Sequence, residues 1–456
     1  MIKIRLNRLG SAFREWMDSR ARPLSEAELC QYVESILSEK ELLLESARRF
    51  GTPQYFFDEP SLIRQIDRFR RTFSKYGDRY HVFYAMKSNS YKGICKRIVK
   101  EGIGLDVSSG MELFSALAMG CDKIIFSGPG KTDEEISLAI QNSDRVTLLM
   151  DSYGEFERAQ AILKRDSAGK KSVKAGVRVR GSYHGDWNKF GISLDDLVFV
   201  LERIRSADCI DAAGIQFHTS WNLNPSRQIG MINEVGGYLR RHITSGCIAD
   251  LRFIDIGGGF WPEQGEWLNA ENIFLGRLIK DIFPSVHLRR RHFRRASKTL
   301  DYFAGEIFMT ISRQGRPLTD LEVWTEPGRW LSTPAMHILL QVIDVKGPRT
   351  IVTDGGTNLL GWERPLSEYI PVVNLSRPSL TEIDAAIYGS LCTPYDIWGK
   401  AVFGNGVKNG DILIVPDQGA YTYSLRQSFI KPRARVITYD GGMLEESEKG
   451  DVPFIL

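Results

Sequence analysis

Eight short apolar runs rich in β-branched residues recur along this chain, at 81–87, 104–109, 123–128, 145–152, 174–180, 211–220, 251–259 and 322–329. The segments between them, such as 112–120, 133–141 and 194–206, carry apolar residues at helical spacing. This alternation is the pattern of repeated βα units with parallel strands. Eight units over roughly 270 residues predict one closed (β/α)8 barrel rather than an open sheet. Closure would bring the C-terminal ends of all eight strands to one mouth. Those ends are polar or glycine almost without exception: Lys87, Asp106, Ser127, Asp151, Arg178, His218, Gly257 to Gly259, and Glu326 to Arg329. A purely structural barrel has no reason to collect them there.

The flanks read differently. Residues 1–50 suggest two helical stretches, the second starting near Ser25 and running through Leu37, Leu42 and Leu44, and form an N-terminal helical extension to a barrel over 51–333. Beyond it, short β-like runs at 337–345, 349–353, 385–387, 411–415 and 434–438 are punctuated by Asp354-Gly355-Gly356 and Gly404-Asn405-Gly406. They predict a C-terminal antiparallel β domain over 334–456.

Composition narrows the function classes. The 60 basic and 56 acidic side chains nearly cancel, which argues against a nucleic-acid partner. The one dense basic run, at 289–295, reads either as a solvated face or as a site for an anionic partner. Six cysteines, at 30, 95, 121, 209, 247 and 392, show no CxxC and no metal-ligand spacing with histidine. No metal site or disulfide framework is expected, and a reducing, cytoplasmic setting is. The first 21 residues are basic and amphipathic without the apolar core of a secretory signal, leaving a transit peptide as the alternative. No stretch approaches the roughly 18 apolar residues of a membrane span.

The mouth residues suggest a chemistry. Lys87 ends the first run; there a lysine either snorkels or, partly desolvated, serves as a Schiff-base nucleophile. Gly257, Gly258 and Gly259 follow an apolar strand, as in a backbone cradle for phosphate. Glu326-Pro327-Gly328-Arg329 is either a capped strand-end ion pair or a carboxylate for a heteroaromatic ring nitrogen beside a guanidinium for an anion. His218 is either a core histidine or a ring that stacks on a flat cofactor. Taken together, the four point to pyridoxal 5′-phosphate.

Several ordered motifs resemble the fold-type III pyridoxal-phosphate decarboxylases, which include diaminopimelate, ornithine and arginine decarboxylases on an alanine racemase-like barrel. The resemblance covers roughly residues 50–430. It rests on Tyr84-Ala85-Met86-Lys87-Ser88-Asn89, on Asp106-Val107-Ser108-Ser109-Gly110-Met111-Glu112, on the glycine run, on Glu326 to Arg329, on Cys392-Thr393-Pro394-Tyr395-Asp396 and on Asp417-Gln418-Gly419-Ala420-Tyr421. It implies a homodimer with shared active sites. Lys87 would carry the cofactor, with Asp106 and Glu112 in support. His218 would stack on the ring and Glu326 would keep its nitrogen protonated. The glycine run, Gly328, Arg329 and Tyr421 would hold the phosphate, with Ser220 as a further candidate. Cys392, from the other subunit, would reprotonate the α-carbon, and Asp396 would pair across the interface with Lys189. Alanine racemases of the same barrel family place an arginine where Glu326 stands, so the glutamate favours decarboxylation.

Three positions depart from the family pattern. Thr393 replaces the acidic residue that meets a substrate's distal ammonium. Trp221, in His218-Thr219-Ser220-Trp221, interrupts the small phosphate-binding sequence. Glu368 replaces the tyrosine four residues after Arg364. The Leu391-Cys392-Thr393-Pro394 version resembles a branch acting on citryl-diamino acids of siderophore assembly or on carrier-tethered glutamyl groups, so a carrier protein is an expected partner. Arg364, Glu368, Thr393, Arg329 and Tyr421 are the candidate substrate contacts. The rival readings are a diaminopimelate decarboxylase, a non-catalytic pyridoxal-phosphate-binding protein and a Schiff-base aldolase barrel. Trp187 and Trp221 either shape the pocket or simply pack.

Overall fold

The computed structural model describes residues 21–451 other than 167–172, 186, 208, 274–281, 283–291, 348 and 362–367. It divides into two compact units, one of residues 66–261 and 298–330, the other of the segments up to 65, 262–297 and from 331 onward.

All eight anticipated strands form in the first unit: β1 Tyr80–Ala85, β2 Gly104–Val107, β3 Ile124–Phe126, β4 Val146–Met150, β5 Val173–Arg180, β6 Ile210–Gln216, β7 Phe253–Asp255 and β8 Glu322–Thr325. Each pairs in parallel with the next, and β8 pairs with β1, closing the barrel. The helices between them start where the sequence signals it. Ser109 caps Gly110–Ala118, and a Thr132/Glu135 capping box starts Asp133–Gln141. Alternate strand residues turn inward, and Phe83, Ile125, Leu149, Ala213, Phe253 and Trp324 fill the barrel as one buried cluster. Phe253 and Trp324 stack with ring centroids 3.7 Å apart. A Cβ on Gly214 would lie 2.5 Å from the Phe253 ring, so only glycine lets that ring lie against β6.

The second unit contains a nine-stranded sheet. Its strands Met336–Val345, Thr350–Thr353, Glu382–Tyr388, Ile412–Val415 and Arg435–Tyr439 match the anticipated runs; Gln54–Asp58, Val372–Asn374, Ile397–Phe403 and Leu444–Glu448 join them. Most pairings are antiparallel, but three are parallel.

The first expected N-terminal helical stretch lies outside the described residues. The second is two helices, Glu26–Leu37 and Lys40–Phe50. They bury Leu29, Val33, Leu43 and Ala47 in one core with Phe56, Trp267, Leu339 and Ile437 of the same unit.

In its described part the basic run is paired within the chain. Residues His292–Arg295 form a strand, in which His292 meets Glu382 at 2.9 Å, Arg294 meets Glu28 at 2.8 Å and Arg295 meets Glu266 at 3.0 Å. Internal carboxylates have taken up those charges. The cysteines are all free. No helix among the described residues is long and apolar enough to cross a membrane.

Candidate active site

At the mouth, β1 gives way to a single turn, Met86–Ser88, that carries Lys87 out of the barrel wall. Its Nζ donates to Asp106 Oδ2 at 2.8 Å. Asp106 lies on the neighbouring strand, one residue before its end, and is fully buried; its other oxygen accepts from Ser127 Oγ at 2.6 Å. Burial pushes the Asp106 carboxyl up and the Lys87 ammonium pulls it back. Gly328 abuts this turn so closely that a Cβ there would lie 2.8 Å from Ser88 Cβ.

Opposite stands a pair of buried carboxyls. Glu326 Oε1 accepts from Gln216 Nε2 at 3.0 Å, and Oε2 lies 3.3 Å from His218 Nδ1. Burial drives its pKa up, but His218, Lys87 and Arg178 outweigh burial and hold it at about 2. Asp255 behaves in the opposite way: burial, then the Glu326 charge, push it well above the carboxylate range. Two like charges in one dry site cannot both ionise, so Glu326 carries the charge and Asp255 the proton. Asp255 Oδ1 accepts from the Gly257 N–H at 2.8 Å.

The glycine run threads between the ends of β6 and β8. A Cβ on Gly258 would clash with the Glu326 carbonyl, and one on Gly259, at φ +79°, would clash with the Thr219 carbonyl. The Gly257 and Gly258 amides are turned to Asp255 and to His218 Nδ1, while the Gly259 amide has no partner among the described residues and is the one available to an anion. His218 Nδ1 therefore serves either Gly258 or Glu326, according to its tautomer. Its Nε2 lies 3.0 Å from Ser220 Oγ, so Ser220 faces the histidine ring. Burial holds the His218 pKa down. Trp221 is exposed in a left-handed conformation, φ +53°, because Asn222 is pinned by the Gly259 carbonyl (3.0 Å) and by Thr219. Trp187 stands between them, with ring centroids 6.4 Å from His218 and 6.2 Å from Trp221. Arg329 lies 4.6 Å over the Trp261 ring. Glu112 accepts from the Ser108 N–H at 2.8 Å beside the Ser109 cap of its helix; burial raises its carboxyl, and the Lys87 charge opposes that shift.

The remaining expected residues belong to the second unit. Cys392 is exposed in the loop before Asp396. Thr393 turns its Oγ1 to the Tyr395 N–H, 3.4 Å away. Asp396 is buried and accepts from Thr357 N, Thr357 Oγ1 and Leu391 N at 2.6, 3.0 and 2.7 Å. That is a structural job inside its own chain. Glu368 bridges Leu268, and Tyr421 sits at φ +57°. Arg364 lies outside the described residues. Sequence reading missed Asp255 and Gln216, which lie on strands as ordinary inward polar residues; only the Glu326 charge beside them gives them a role.

A closed βα-barrel with an amine on a buried carboxylate, a second carboxylate held anionic, and a glycine turn admitting no Cβ belongs to the class of lyases that work through a bound aldehyde cofactor. A family model described as "Pyridoxal-dependent decarboxylase, pyridoxal binding domain" matches residues 60–333, more than half the chain, and the chain belongs to that family. It is a pyridoxal-phosphate-dependent amino-acid decarboxylase. Diaminopimelate decarboxylase of Methanothermobacter thermautotrophicus is 25% identical over 421 residues, covering 87% of this chain and 89% of the relative. A Staphylococcus aureus relative, 2-[(L-alanin-3-ylcarbamoyl)methyl]-2-hydroxybutanedioate decarboxylase, is 25% identical over 375 residues, covering 75% and 83%. The crystal structure of diaminopimelate decarboxylase from M. jannaschii with L-lysine superposes with TM-score 0.73 at 22% identity, over 90% of this chain and 92% of that one, which establishes the shared fold. The mouth suits the cofactor: the anionic Glu326 fits a protonated pyridine nitrogen, and the Gly259 amide, without a partner among the described residues, fits a phosphate.

Proposed function

We propose that this enzyme removes the α-carboxylate of a conjugated amino acid, one whose distal amine is joined by an amide to a citryl-type acid or to a carrier protein. The observation that carries this reading is Thr393. A free distal ammonium needs a carboxylate there, since an unpaired buried cation costs several kcal/mol, and this hydroxyl is directed at its own turn. The S. aureus relative's name describes an amino acid held by such an amide to a hydroxy tricarboxylate.

The bound cofactor supplies an electron sink for the charge left at the α-carbon when carbon dioxide departs. In this reading Lys87 holds the cofactor covalently, and Asp106 orients its amine. Glu326, kept ionised, holds a proton at the ring nitrogen. Gln216 and the protonated Asp255 keep that carboxylate in place. His218 packs on the ring, and Gly259, Gly328, Arg329 and Tyr421 meet the phosphate, with Ser220 acting through His218. Cys392 of the partner subunit delivers the proton that replaces carbon dioxide, in a homodimer working in the cytoplasm. Its exposure in this chain supports that assignment. Arg364 and Glu368 read the distal end.

Carbon dioxide release from cofactor-loaded protein, offered free diaminopimelate, lysine, ornithine and a citryl-diamino acid in parallel, tests the proposal. Release from the conjugate alone is expected. Turnover of free diaminopimelate, the reaction named for many relatives, would overturn the substrate assignment and leave the mechanism.

A further inference from the structure

The N-terminal helices have no part in the chemistry above, yet one of their side chains reaches two segments that do. The Tyr32 hydroxyl donates to Asp417 Oδ2 at 2.7 Å. Asp417 opens the turn that ends at Tyr421, and both residues occupy the left-handed region, at φ +56° and +57°. Non-glycine residues adopt that conformation rarely, so the turn must be held from outside. Three bonds hold it: the Asp417 N–H donates to His337 Nδ1 at 3.0 Å, the Gln418 N–H to the Met336 carbonyl at 2.6 Å and the Gly419 N–H to the Thr333 carbonyl at 3.0 Å. The Tyr32 hydroxyl is the contact the N-terminal helix adds to the Asp417 side chain.

On its other side the Tyr32 ring meets Trp267 edge-on, centroids 4.9 Å apart. Trp267 stacks on Tyr369 at 6.3 Å, and its carbonyl accepts the Tyr369 N–H at 2.9 Å. The preceding residue, Glu368, bridges Leu268, and its carbonyl accepts from Asn269 Nδ2 at 3.3 Å. One side chain thus touches the support of both Tyr421 and Glu368. Burial and the Asp417 charge raise the Tyr32 pKa far above neutrality, so the phenol remains a donor.

We propose that Tyr32 is a positioning residue for decarboxylation: its hydroxyl fixes, through Asp417, the turn that presents Tyr421, and its ring braces, through Trp267 and Tyr369, the segment that carries Glu368. The proposal rests on the reading of Tyr421 as a phosphate contact and of Glu368 as a substrate contact. It gives the N-terminal extension a function in cofactor and substrate binding.

The test is a double-mutant cycle in the full chain with Tyr32→Phe, which removes only the hydroxyl, and Asp417→Asn. Tyr32→Phe should speed amide exchange at 417–422 in the cofactor-free protein and weaken cofactor binding by about tenfold, the low end for one hydrogen bond to a charged group. Asp417→Asn should do the same, and the double variant should add little. Tyr32→Leu, which also loses the ring, should raise KM further with kcat little changed, and phenylalanine should rescue that part. Unchanged exchange at 417–422 in Tyr32→Phe, or fully additive effects in the cycle, would overturn the proposal. Tyr421→Phe separates the two layers: normal cofactor affinity there would overturn the Tyr421 reading and the proposal with it, whereas weakened affinity there beside a silent Tyr32→Phe would overturn the proposal alone.

Discussion

The two ends of the barrel are built from the same strands and hold opposite kinds of side chain. β7 carries Phe253 toward the base and Asp255 to the mouth; β8 and the residue after it carry Trp324 and Glu326; β5 carries Lys174 and Arg178. At the base the aromatic pair stacks, and the Lys174 ammonium lies 4.8 Å from the Trp324 ring and 5.5 Å from that of Phe253. Its charge rests on ring faces, a favourable arrangement. At the mouth, charged groups are buried against one another, and burial together with the Glu326 charge pushes Asp255 toward its protonated form. The base contributes packing energy. The mouth spends some of that stability to keep one carboxylate ionised and one amine oriented.

The contrast predicts which changes uncouple stability from activity. Lys87→Ala should have the largest effect, abolishing the visible absorbance of lysine-bound cofactor and all turnover, while the unfolding midpoint of cofactor-free protein stays close to wild type; an absorbance spectrum and a melt check it. Glu326→Gln keeps the shape and removes the charge. It should lower kcat by about 10²- to 10³-fold, comparable to losing one preorganised electrostatic contact, as measured by carbon dioxide release. Trp324→Ala should do the reverse, costing about 3–5 kcal/mol of stability in denaturant titration, with turnover per folded molecule near wild type.

The smallest effect concerns two histidines. At the mouth His184 is buried, has no partner on either ring nitrogen among the described residues, and is lowered to about 4 by burial and by Arg178. At the base His81 is also lowered by burial, but Glu322, 3.6 Å away, opposes the shift. A histidine whose folded pKa lies below its unfolded value of 6.5 binds fewer protons when folded. Its contribution is therefore fully present above pH 6.5 and is lost as pH falls toward 4. For His184 the loss is at most about 3 kcal/mol, and His184→Asn should flatten stability across that window more than His81→Asn does.

Much of this contrast was legible in the sequence. Inward positions alternate along a strand, so Lys87, Asp106, Ser127, Arg178 and Glu326 could be placed at one mouth from strand ends alone. What the sequence hid depends on distant neighbours. Asp255 looks like any polar residue inside a strand until Glu326 lies beside it. Strand Gln54–Asp58 was expected within the barrel stretch, yet it pairs with Met336–Val345 and Arg435–Tyr439 in the other unit, a pairing across nearly 300 residues or more that no local period encodes. The partners of His292, Arg294 and Arg295 could not be read from the sequence because Glu382, Glu28 and Glu266 come from three separate segments.

Among the described residues of the barrel unit, three lysines sit in partly or fully buried settings: Lys87 at the mouth, Lys174 at the base, and Lys131, whose ammonium is buried against Glu155 at 2.8 Å. Burial lowers the pKa of both Lys131 and Lys174, so desolvation alone does not single out a nucleophile. Borohydride fixation of the cofactor-loaded enzyme, followed by peptide mass analysis, asks the question directly. The cofactor's mass is expected on the peptide bearing Lys87 and on no other. Label on Lys131 or Lys174 would contradict it.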